Sequence, residues 1–282
     1  MNTSIFLNDQ HELRSGWKLA AYFAILILFW VASGIVLSLT FARTNLPDDQ
    51  LTLLALNEIV LFIPAILAPV LMVRFVDHRP LKTFGITFEN WRRHLMWGLA
   101  VAAAMLAVLV AGCYAFGYVR IAWTARQVPA STLILTVAVL LVAAAVEEFM
   151  FRGFPLQVLC QGAGKWPGVL VLSGLFGAVH WNNPNATLLG TVNTILAGVL
   201  LSLAYLKARS LWLPYAIHLG WNAGIGFILG LPLSGLDLAS LWTTGVAGSD
   251  TILGGGYGPE GGLLTTFIFG TSALFVNRRN WN

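Results

Sequence analysis

Eight stretches of this chain are apolar over lengths that a soluble domain does not tolerate: 19–39, 51–73, 95–116, 131–151, 167–181, 186–206, 211–230 and 261–276. Most approach the roughly 20 residues that an α-helix needs to cross a bilayer. The runs are continuous rather than alternating and too long for barrel strands, so helices satisfy their backbone and a barrel does not. Charge agrees: 10% of the 282 residues are charged and 57% are hydrophobic, against roughly a quarter charged in a soluble domain. So apolar a chain does not stay disordered. Its two cysteines, Cys113 and Cys160, lie in or beside apolar runs and make no disulfide scaffold. The fold class expected is an all-α polytopic integral membrane bundle of about eight transmembrane helices.

The net charge of +4 reads as loop Lys and Arg fixing orientation rather than as a nucleic-acid surface. With the N-terminus inside, the cytoplasmic segments hold Arg14, Lys18, Arg74, Arg79, Lys82, Arg92, Arg93, Arg152, Lys165, Lys207, Arg209, Arg278 and Arg279. The outer segments hold Arg43, Arg120 and Arg126, together with Asp48, Asp49, Asp237, Asp250 and Glu260. That asymmetry predicts an even number of spans with both termini cytoplasmic, in the plasma membrane if the cell is bacterial. The first run starts late, is long and lacks a small-residue cleavage site, so it reads as a retained helix. Three regions are expected. Residues 1–130 form a three-helix membrane region with an aromatic and basic interfacial segment at 80–93. Residues 131–230 form a core, and 231–282 a glycine-rich outer loop and last helix.

Ionisable groups inside a span are costly, so each is a functional candidate. The fourth run ends in Glu147-Glu148-Phe149-Met150-Phe151-Arg152. Glu148 and Arg152 are spaced i, i+4 and share a helix face. Glu147 points about 100° away from Glu148, so Arg152 can hold one carboxylate and leave the other free. The fifth run carries Phe176 and His180, and the seventh His218 and Asn222, again i, i+4. Alone, each His or Asn reads as interhelical hydrogen-bond glue. Together, Glu147, His180, His218 and Asn222 can activate a water and donate to an oxyanion. The same four could instead ligate zinc, although Asn is an unusual zinc ligand.

In order on successive apolar helices, Glu-Glu-x-x-x-Arg, Phe-x-x-x-His and His-x-x-x-Asn resemble the CAAX-protease and bacteriocin-processing family of intramembrane proteases, which includes the eukaryotic type II CAAX prenyl endopeptidase. All three motifs match without substitution, within about 131–230. The resemblance implies an intramembrane endopeptidase acting on a membrane-associated protein or peptide. It implies that Glu147 and His180 activate water, that His218 and Asn222 stabilise the oxyanion, and that Glu148 and Arg152 support them. A metal-independent glutamate mechanism with no cofactor fits better than a zinc enzyme, because the usual zinc-protease helix is missing. Rival readings are a non-catalytic immunity or scaffold protein, and a transporter using the same groups as a proton relay.

Competing motifs are poor. His11-Glu12-Leu13-Arg14-Ser15 lacks the second His of a zinc helix, and 162–166 has Trp166 where a phosphate loop needs Ser or Thr. Ser173-Gly174 invites a serine-protease reading, but Val171 stands where such a motif has Gly. The glycine-rich segment 254–262 reads as a flexible outer loop; a similar turn with Glu is familiar from bacterial members of the family. Glu58, among apolar neighbours, fits either pairing within the bundle or a place near the interface. Depth adds one expectation. If the fourth helix ended at Arg152, Glu147 would lie only about 8 Å from its cytoplasmic end and His180 about 20 Å along the fifth. The apolar residues 154–159 therefore predict a fourth helix that continues to about Leu159 or Cys160, kinked at Pro155.

Overall fold

The computed structural model describes residues 5–8, 11–42 and 49–281; Arg43 and Asp48 lie outside the described residues. Every apolar run is helical. In chain order they form α1 (Ser15–Thr40), α2 (Gln50–Leu71), α3 (Trp91–Phe116), α4 (Ala130–Phe151), α5 (Phe154–Ala163), α6 (Lys165–Val179), α7 (Leu188–Ala208), α8 (Trp212–Asn222), a single turn α9 (Asp250–Leu253) and α10 (Leu263–Arg278). Among the described residues, five segments are long and apolar enough to cross a membrane: α1, α2 with its continuation to Val76, α3, α4 with α5, and α7. The fifth, seventh and eighth runs give shorter helices, α6, α8 and α10. Large side chains such as Leu28 and Val36, 66% and 63% exposed, face outward from α1. Apolar groups facing outward along helices of this length face lipid, and the chain is an integral membrane protein.

The segments expected inside meet at one end of the bundle. Lys18 Nζ lies 2.7 Å from Asp77, the Lys165 amine donates to Asn277, and Arg279 stacks on Trp97 at 3.9 Å. At the other end two strands, β1 (Gly117–Trp123) and β2 (Trp242–Gly248), pair antiparallel with Val119 opposite Val246 and Trp123 opposite Trp242. This ribbon is an addition to the expected all-α bundle. The interfacial segment 80–93 folds back on the bundle: Phe84 is buried, and the Trp212 indole donates to the Thr87 carbonyl.

The fourth helix departs from expectation. It ends at Phe151, and the chain restarts as α5 at Phe154. The break is at Gly153, whose φ of −69° and ψ of −115° leave the helical region. Pro155 makes no kink, because it sits in the first turn of α5, where its missing N–H leaves no helical bond unmade. The apolar stretch nonetheless runs from Ala130 to Ala163, 34 residues, so Glu147 lies in its interior.

Helix α8 is placed by α3. A Cβ on Gly98 of α3 would lie 2.5 Å from the Ala216 Cβ of α8. Small residues let helix backbones approach this closely in membranes. Past Asn222 the chain winds as a seven-residue π turn, Ala223–Leu229. Ser173 lies at an equally close crossing of α6 on α7, against Gly198. Its burial there is packing.

Candidate active site

Three helices bring Glu147, His180 and His218 together. Glu147 Oε2 lies 3.9 Å from His180 Nε2 and 3.7 Å from His218 Nε2. The other His218 nitrogen, Nδ1, lies 2.9 Å from Glu148 Oε1, which also accepts from Arg152 at 3.2 Å. Arg152 stacks over the Phe176 ring at 4.1 Å. The Phe176 carbonyl meets His180 Nδ1 at 2.7 Å. One i, i+4 pair on α4 is therefore clamped between α6 and α8.

The hydrogen bonds fix the tautomers. A carbonyl only accepts, so His180 Nδ1 carries its proton and a neutral His180 presents a bare Nε2 to Glu147. His218 Nδ1 faces a carboxylate and donates in the same way. Two Nε2 atoms and a carboxylate oxygen thus converge, and three acceptors sit together only with a proton, a water or a cation among them. Glu147 Oε2 has no hydrogen-bond partner among the described residues.

Burial divides the two acids. Glu148 and Arg152 are each 1% exposed, whereas the Glu147 side chain keeps 27%. Arg152 is thus buried within the bundle, and pairing with Glu148 is what allows a guanidinium to be buried there.

Glu147, His180, His218 and Asn222 all line one cavity of about 700 Å³. Its apolar arm runs past Leu26 and Trp30 of α1. Glu58 of α2 stands on its wall, which gives that residue a cavity-facing place beside the Asn57 amide at 3.3 Å. Asn182, Asn183, Ser234 and Glu260 line it as well. Among the described residues no three His, Cys, Asp or Glu side chains form a metal-binding group.

The glycine-rich segment 254–262 is not a flexible loop. Tyr257 and Glu260 are buried, and Asn193 of α7 donates to the carbonyls of Glu260 and Gly262 at 2.8 and 2.9 Å. Glycine serves close approach here. Gly258 has φ +88°, and a Cβ on it would lie 1.9 Å from the Pro232 carbonyl oxygen. Gly258→Ala is expected to destabilise by about 2 kcal/mol or more, seen as a lower Tm in detergent. Gly256→Ala, with its nearest neighbour at 3.4 Å, is expected to leave Tm unchanged.

Residues 129–224 match the family model described as Type II CAAX prenyl endopeptidase Rce1-like. The match spans α4 to just past α8 and includes Glu147, Glu148, Arg152, Phe176, His180, His218 and Asn222, but not Glu260. No curated protein and no solved structure matches the chain. Over residues 129–224, then, this chain carries the Rce1-like type II CAAX prenyl endopeptidase signature.

Proposed function

We propose that this protein is an intramembrane endopeptidase of the glutamate type, with both termini cytoplasmic. The observation that carries the reading is the placing of Glu147 Oε2 3.9 and 3.7 Å from two imidazole nitrogens on a large cavity. A water held there gives its proton to Glu147, with His180 Nε2 as its second partner. Its oxygen bonds to the scissile carbonyl carbon. The carbonyl oxygen takes the charge and accepts from His218 and Asn222. For that donation His218 Nε2 carries a proton too, while its Nδ1 stays directed by Glu148. The proton on Glu147 then passes to the leaving nitrogen, and the C–N bond breaks. The apolar arm of the cavity suits a substrate segment held in lipid, so the substrate class is a membrane-associated protein or peptide.

Cleavage of a peptide library by the purified full chain, compared with Glu147→Ala, tests the reading. No cleavage by either protein would favour a scaffold role instead, and equal cleavage by both would take Glu147 out of the reaction. Metal dependence separates cleanly. The purified protein is expected to contain no stoichiometric zinc by elemental analysis, and strong chelators are expected to leave turnover intact. Loss of turnover on chelation, restored by zinc, would move Glu147 and the histidines to ligand roles.

A further inference from the structure

We infer that Glu260 is a positioning residue for the oxyanion-binding end of α8, acting through Trp221; this rests on the hydrolytic reading above. Glu260 is buried on the cavity wall, outside the motif-bearing core. Its Oε1 accepts from the Trp221 indole at 3.0 Å, and its Oε2 from the backbone N–H and hydroxyl of Ser234, at 2.9 and 2.5 Å. Three donors converge on one carboxylate, as a charged acceptor requires. The frame behind it is firm. Asn193 of α7 binds the Glu260 carbonyl, and the Asn193 side-chain oxygen accepts from Thr266 of α10 at 2.7 Å.

The consequence lies on α8. Trp221 is next to Asn222 and three residues from His218, and its ring packs on Phe269 at 5.0 Å. Regular helix stops at Asn222, where the π turn begins. The hydrogen-bond pattern changes right after Asn222, and such π turns often lie at functional sites. The Trp221–Glu260 bond supplies a fixed point at that junction. Glu260 touches no reacting atom in this scheme; it sets where the donors of α8 stand.

Glu260→Gln keeps the shape but offers one acceptor oxygen to three donors. Trp221→Phe keeps the ring and removes only the indole donor. Each is expected to lower kcat by about 10- to 100-fold with KM within about twofold, the pattern of misplaced transition-state donors. The double variant is expected to be no worse than the less active single variant, because both changes act through the one Trp221–Glu260 bond. An unchanged kcat in a folded Glu260→Gln protein, with Glu147→Gln inactive, would overturn the inference and leave the hydrolytic reading standing. A second readout needs no substrate. Side-chain NMR of the detergent-solubilised full chain is expected to show the Asn222 amide and His218 ring signals displaced in both variants. Unmoved signals would overturn the inference whether or not any peptide is cleaved.

Discussion

Glu147→Gln is expected to lower peptide hydrolysis by about 10²-fold or more while leaving a folded, inserted protein. The amide matches the carboxylate in size and removes only the base. The Glu148–Arg152 pair, the His218 anchor and the Phe176 carbonyl bond of His180 all lie outside the change. Stability is therefore expected to be near that of the wild type. His180→Ala removes the other group that faces the water and is expected to behave alike. Product formation followed by mass spectrometry, with gel filtration in detergent to check the fold, decides the matter. A monodisperse Glu147→Gln protein with wild-type turnover would sink the glutamate-base mechanism.

The helices were legible because lipid leaves the backbone no other partner. Each apolar run could be read as a helix without knowing its neighbours. The Glu148–Arg152 contact was legible for a related reason, since 3.6 residues per turn puts i and i+4 on one face. Periodicity could not join His180 and His218 to Glu147 across three helices. Only the order of the three motifs suggested that meeting, by resemblance.

What escaped was tertiary. A proline announces a kink in sequence, yet Pro155 begins a helix and Gly153 makes the break. The strands around Val119 and Val246 pair without a short turn between them, so no local pattern marks the ribbon. Glycines at 254–262 suggested mobility, whereas Gly258 is there so that its backbone can meet Pro232. Glu260 carried no signal beyond its glycine-rich surroundings; its partners Trp221 and Ser234 come from other elements.

Arg152→Met is expected to destabilise the protein by about 3–5 kcal/mol, the usual cost of stranding one partner of a buried pair. The variant leaves the Glu148 carboxylate 98% buried in its side chain with only His218 beside it. Methionine fills much of the volume, so lost packing is the smaller part. Glu148→Leu combined with Arg152→Met removes both charges and is expected to recover most of that stability, because an apolar pair of similar volume replaces a buried ion pair at little cost. Activity is expected to follow a different course. The double variant leaves His218 Nδ1 without its carboxylate, so the ring loses the acceptor that directs it. Turnover is therefore expected to stay at least about 10²-fold below wild type in the restored protein. Thermal unfolding in detergent and peptide cleavage on the same samples test both halves. If the double variant regains activity along with stability, the pair merely pins α4 to α8. If Arg152→Met is as stable as wild type, the guanidinium is not what holds Glu148 in place.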